Sequence, residues 1–275
     1  MRGSPYFWVA SALLALTALL IGPRTALAGI AESGGSAEPP AIIIGFVGGF
    51  VRRDNAAHSE VQLAAKLRQT YCSRADVRVF ENHHVRQAHQ YILSVLGAET
   101  HGILTSEEKR DARIALYGHS WGGAAVVQLA GALQKDGIPV LLTVEVDSVS
   151  KFRSNDSVIP SNVLQAANFY QTHGIIHGVR KIRAQDASRT RIIGNYRFDY
   201  TRSSLRCSDY PWWDRYLLKA HTEIECDPVV WNRIDSLIRG VLQPPPSVIK
   251  KARTIRLAAP TEMNSPRAPR SNCRL

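Results

Sequence analysis

Ser120 stands in the segment Gly118-His119-Ser120-Trp121-Gly122. A serine at this spacing becomes a nucleophile when the segment is a tight turn leading from a strand into a helix. Both flanks meet that condition: Ala112 to Tyr117 is a continuous apolar run, and a helical pattern resumes at Gly122 and continues to Gln134. Such a turn forces a strained backbone on Ser120, and Gly118 and Gly122 remove side chains that would strike neighbouring elements. As the start of a helix it also aims free N–H groups and the positive end of the helix dipole at any oxyanion formed there. A bare Gly-x-Ser-x-Gly pattern also arises in ordinary glycine-rich turns, so the strand before it and the helix after it are what give it meaning here.

In this setting the segment resembles the α/β-hydrolase superfamily, in particular its lipase- and thioesterase-like members with a Gly-His-Ser-x-Gly elbow. The resemblance runs from residue 41 to about residue 242. It implies a mostly parallel central sheet with helices on both faces, and a chain order of nucleophile, acid, histidine. For the histidine that order favours His221, in Lys219-Ala220-His221-Thr222, expected in a loop just before the final helix. His173 and His177 come earlier and are the alternatives. His119, beside the nucleophile, is expected to support the elbow.

The acid has to hold the imidazole in one tautomer and stabilise its cation, which suits a carboxylate at a strand end. Asp147 ends the run Val140 to Val146, a position that some lipases of the family use; Asp186 and Asp227 are the fallbacks, with Asp227 read as the negative group at the start of the last helix. The next strand, Val163 to Gln171, ends without a carboxylate. The resemblance places one oxyanion N–H on Trp121 and the other on Val47 or Phe46, in Gly45-Phe46-Val47-Gly48-Gly49-Phe50, which lacks the family's His-Gly pair. Tyr210, Trp212, Trp213 and Tyr216 precede His221 and are read either as an acyl pocket or cap, or as core packing.

The elements that must position these residues follow from periodicity. Ala41 to Phe46 reads as a buried parallel strand. Val61, Leu63, Ala64 and Leu67 mark a helix, Val77 and Val79 a strand, and Val85, Ala88, Ile92 and Val95 a second helix closed by Gly97. Thr105 to Glu108 opens a short polar helix. With Pro139 to Val146, strand and helix alternate as a parallel α/β sheet requires. Ile182 to Arg197 is expected as a hairpin turning at Asp186-Ala187-Ser188, and Pro228 to Leu242 as the last helix.

The 275-residue chain carries 34 basic and 23 acidic residues. Arg2 followed by the apolar run Val9 to Ile21, and then Ala26-Leu27-Ala28, reads as an export signal cleaved before Gly29, so residues 1–28 are a leader and the chain is expected to be periplasmic or secreted. Residues 29–40 read as a linker and 41–242 as one catalytic domain. Residues 243–275 hold seven basic groups against Glu262 alone, with Pro244-Pro245-Pro246 at their head, and read as a flexible basic tail that could weakly touch an anionic envelope surface. The folded body lacks the basic patch and base-contacting motifs of a nucleic-acid reader. An exported chain permits disulfides; Cys207 with Cys226 is the favoured pair, with Cys72 and Cys273 free or joined, and no Cys-x-x-Cys suggests zinc.

The expected activity is hydrolysis of a carboxylic ester or thioester through Ser120, Asp147 and His221, on a small-molecule or lipid-like acyl substrate. No cofactor and no metal is called for. A non-catalytic binder of an envelope component on the same fold, or a hydrolase of amide or polyester bonds, are the alternatives.

Overall fold

A computed structural model describes residues 41–97, 104–150 and 155–243. The expected leader, linker and nearly all of the tail lie outside the described residues.

The main sheet has six strands in the order β2-β1-β3-β4-β6-β8. They are β1 (Ala41–Val47), β2 (Ala75–Glu81), β3 (Ile114–His119), β4 (Val140–Val146), β6 (Val163–Tyr170) and β8 (Arg191–Arg197). Every neighbouring pair is parallel. Two short strands, β5 (Val158–Ile159) and β7 (Arg183–Ala184), pair separately, also in parallel. The helices are α1 (Ser59–Tyr71), α2 (Val85–Leu96), α3 (Ser106–Arg110), α4 (Trp121–Lys135), α5 (Trp212–Leu217), α6 (Lys219–Cys226) and α7 (Pro228–Leu242).

Strand alternation sorts the core into two layers, because successive side chains point to opposite faces. Ile43, Ala115, Tyr117, Leu142 and Val144 face one side, packed with Leu63 and Leu67 of α1, Ile224 of α6, and Val230, Ile234 and Ile238 of α7. Ile42, Ile44, Phe46, Ile114 and Leu116 face the other, under Ala88 and Ile92 of α2 and Val126, Leu129 and Leu133 of α4. The central strands are apolar on both faces since both are covered. This is the parallel central sheet with helices on both faces that the resemblance implied, with the sharp turn into α4 at the carboxyl end of a central strand.

Side-chain caps form at two helix starts. Thr105 and Glu108 form a reciprocal capping box on α3, and Asp227 caps α7 by accepting from the Val229 N–H at 2.8 Å, with Pro228 in the first turn.

Two expectations are corrected. Residues 182–197 are not a hairpin. The turn itself forms, with Asp186 accepting from the Ser188 N–H at 2.9 Å, but β7 pairs with β5 and β8 adds to the edge of β6, so the two arms diverge. His221 does not sit in a loop: residues 219–226 form α6, where Thr222 N–H bonds the carbonyl of Leu218 at 2.9 Å and every residue from Ala220 to Glu225 is buried. Lys219, Ala220, Glu223 and Glu225 supply helix propensity that the aromatic run before them had obscured.

Candidate active site

Ser120 caps the N-terminus of α4 with φ 55° and ψ −124°, a left-handed backbone that a serine rarely adopts. The strain is held from several sides. Ser120 N–H donates to the Val146 carbonyl at 2.9 Å, and its own carbonyl accepts from Gly123 at 3.0 Å and Val149 at 3.1 Å. A Cβ on Gly118 would lie 2.5 Å from the Gly122 carbonyl oxygen, and one on Gly122 would lie 2.3 Å from that of Phe46. Both glycines are therefore required by close backbone approach.

Asp147 follows β4 and is completely buried, again with positive φ (42°). Its Oδ2 accepts from His221 Nδ1 at 2.6 Å, across 74 residues of chain. The same oxygen accepts from Gln171 Nε2 at 2.7 Å, while Oδ1 accepts from the backbone N–H groups of Gly178 at 2.7 Å and Gln171 at 3.3 Å. Four donors around one carboxylate fix its orientation. A Cβ on Gly178 would sit 2.2 Å from the Asp147 carbonyl carbon, so only glycine lets this loop close over the acid.

With Nδ1 committed to Asp147, His221 presents its other ring nitrogen as an acceptor. Its ring centroid lies 4.5 Å from that of His119, the residue preceding Ser120. The structure thus gathers Asp147, His221 and the elbow at the carboxyl end of the sheet. Burial drives the His119 imidazole well below its usual range, with the neighbouring His221 and His58 adding to the effect, so it stays neutral beneath the elbow.

The alternative residues lie elsewhere. His173 faces Asp199 at 3.4 Å, His177 is exposed, Asp186 is spent on its own turn, and Asp227 caps α7 while accepting from the Tyr200 hydroxyl at 2.9 Å. For the oxyanion site, Trp121 is the first residue of α4 and Val47 the last of β1. The Val47-Gly48 segment lies against Ser120, since a Cβ on Gly48 would be 3.1 Å from the Ser120 Cβ.

The aromatic run divides. Tyr210 is buried, whereas Trp212, Trp213 and Tyr216 of α5 are 60%, 51% and 77% exposed, so core packing accounts for the first and not for the others. Phe50 is 95% exposed and stands edge-on to Trp121, ring centroids 5.4 Å apart. Cys207 and Cys226 are joined as expected, tying the end of α6 to the segment before α5. Among the described residues no cysteine is a free thiol. Cys273 lies outside the described residues.

Sequence reasoning missed Gln171. It passed over this position for lacking a carboxylate, yet the β4 and β6 register pairs Val146 with Phe169 and so sets Gln171 beside Asp147. It also missed His58, Glu60 and Glu225, which are buried near His119.

No family model matches the chain, and neither does any curated protein. Solved structures do overlap it. A cutinase-like protein from Cryptococcus sp. aligns with a TM-score of 0.42 at 13% identity, covering 75% of this chain and 97% of that one. An acetylxylan esterase aligns with 0.37 at 9%, covering 75% and 100%. Human thioesterase 2 aligns with 0.35 at 10%, covering 73% and 97%.

Proposed function

We propose that this chain is an exported serine hydrolase that cleaves a carboxylic ester or thioester, with Ser120 as nucleophile, His221 as base and Asp147 as the group that orients the base. The observation that carries this reading is the 2.6 Å contact between His221 Nδ1 and the buried Asp147 carboxylate, made beside a serine held at positive φ. Strain at a single polar residue on a helix N-terminus is the mark of a functional position.

In the proposed reaction His221 takes the Ser120 hydroxyl proton on the ring nitrogen that does not face Asp147, and the oxygen attacks the substrate carbonyl. The anionic Asp147 stabilises the imidazolium so formed. The backbone N–H groups of Trp121 and Val47 receive the oxyanion, and His221 passes its proton to the departing alcohol or thiol. Water then attacks the acyl-serine, deprotonated by the same imidazole, and the acid leaves. Phe50 and the exposed rings of α5 offer apolar surface for an acyl group. No step in this sequence calls for a cofactor.

Ser120→Ala tests the reading directly. The purified chain should hydrolyse p-nitrophenyl esters of graded chain length and react with a fluorophosphonate, and the variant should do neither while melting as a folded protein. Labelling that persists in the variant would remove Ser120 from its role. A wild-type chain inert to both reagents would instead favour a ligand binder on this fold.

A further inference from the structure

We infer that the buried cluster of His58, Glu60 and Glu225 is a site for one divalent transition-metal ion of the zinc class, bracing α1 and α6 beneath the elbow. Ligating atoms of the first three lie within 4.8 Å of one another. His58 Nδ1 is 2.5 Å from Glu225 Oε1, and His119 Nδ1 is 3.2 Å from Glu225 Oε2 and 3.9 Å from Glu60 Oε1. Imidazole nitrogen and carboxylate oxygen are ligands zinc accepts, and three protein ligands leave the fourth tetrahedral position to water. Opening the His58 to Glu225 contact to the ~3.3 Å that two tetrahedral ligands at ~2.0 Å keep requires a shift of under an ångström.

A second observation points into the same space. Glu60 is fully buried, no side chain of opposite charge makes a well-formed hydrogen bond to its carboxylate oxygens, and the groups that face them are its own main-chain N–H and the Glu225 carboxyl. Two buried carboxyl groups set against each other are costly. A dication bound at their centre would supply the missing counter-charge.

The surroundings suit a built site. Tyr117 donates its hydroxyl to the Glu60 carbonyl at 2.9 Å, and Trp231 donates its indole N–H to the Glu225 carbonyl, so the backbone on both sides is held by the core. The Tyr210 ring stands edge-on to His58, centroids 5.0 Å apart. A cavity of about 190 Å³ is bordered by Ala57, Ser59, Tyr210 and Cys226, the chain neighbours of His58 and Glu225 among them. His221 and Glu225 lie one turn apart on α6, so the ion would brace the helix that carries the proposed base. The lack of a Cys-x-x-Cys spacing bears only on thiolate sites.

The test uses the purified chain, stripped with EDTA and then titrated with ZnCl2, with metal content, melting temperature and the visible spectrum of the Co2+ form as readouts. The expected result is one equivalent of Zn2+ per chain, a melting temperature raised by at least ~5 °C, and a Co2+ spectrum of nitrogen and oxygen ligation. The double variant Glu60→Gln/Glu225→Gln should lose all three while remaining folded in the absence of metal. Wild-type protein that takes up no Zn2+ and melts unchanged would overturn the inference and leave a shared proton holding the two acids together. Equal binding by the double variant would overturn it too, by placing the ion on surface histidines.

Discussion

Gln171 Nε2 and His221 Nδ1 meet on the same oxygen, Oδ2 of Asp147, at 2.7 and 2.6 Å. The amide therefore sets the position of the carboxylate that orients the imidazole. Gln171→Leu removes that donor and leaves the Ile176 carbonyl, which also accepts from it, without a partner. A hydrogen bond to a charged group is worth ~1.5–3 kcal/mol, so kcat on a p-nitrophenyl ester should fall roughly 10- to 100-fold with KM little changed. Unaltered kcat would show that the other donors to Asp147 suffice.

Ser120 carries backbone strain that its side chain alone justifies. Ser120→Gly should abolish turnover and stabilise the fold, because glycine reaches φ 55° without the cost of ~1–3 kcal/mol that a side chain incurs there, less ~0.5–1 kcal/mol for the freer unfolded chain. A rise in melting temperature of roughly 1–5 °C over Ser120→Ala is the expected reading. A melting temperature equal to or below that of the alanine variant would mean the turn is not strained.

Gly178 covers Asp147 so closely that any Cβ collides with backbone. Gly178→Ala should displace the 177–179 turn, cost ~1–3 kcal/mol of stability and reduce kcat/KM by at least tenfold, since the Gly178 N–H to Oδ1 bond goes with it. Urea unfolding and steady-state kinetics on the same sample would check both. An alanine variant with wild-type stability would refute the packing described.

Glu145 is a buried acid on β4 whose two oxygens make no hydrogen bond to any described group. Burial, with the charge of Asp156 adding to it, holds its carboxyl well above its usual 4.5. A proton thus stays on the folded chain at pH values where the unfolded chain has released it. Its contribution is fully present below pH 4.5 and is lost as pH rises toward the folded value, by up to ~1.4 kcal/mol per pH unit. Glu145→Gln should abolish that slope, so its stability advantage over wild type in urea should grow from pH 5 to pH 8. Parallel stability profiles would show that the carboxyl titrates normally.

Much of this protein was legible locally. A glycine on either side of His119-Ser120-Trp121, an apolar strand before them and an amphipathic helix after them made the elbow readable from a dozen neighbouring residues, since backbone strain and helix initiation are short-range matters. Chain order singled out Asp147 and His221, and the structure adds the hydrogen bond between them, which no local pattern encodes. Other features were beyond reach for one reason: they arise where segments distant in sequence converge. The register between β4 and β6 sets Gln171 beside Asp147; the pairing of β7 with β5 rather than β8 dissolves the expected hairpin; and His58 meets Glu225 across 167 residues. No periodicity encodes such meetings, because the free energy that brings the segments together comes from burying the whole sheet, and the polar groups are carried along with it.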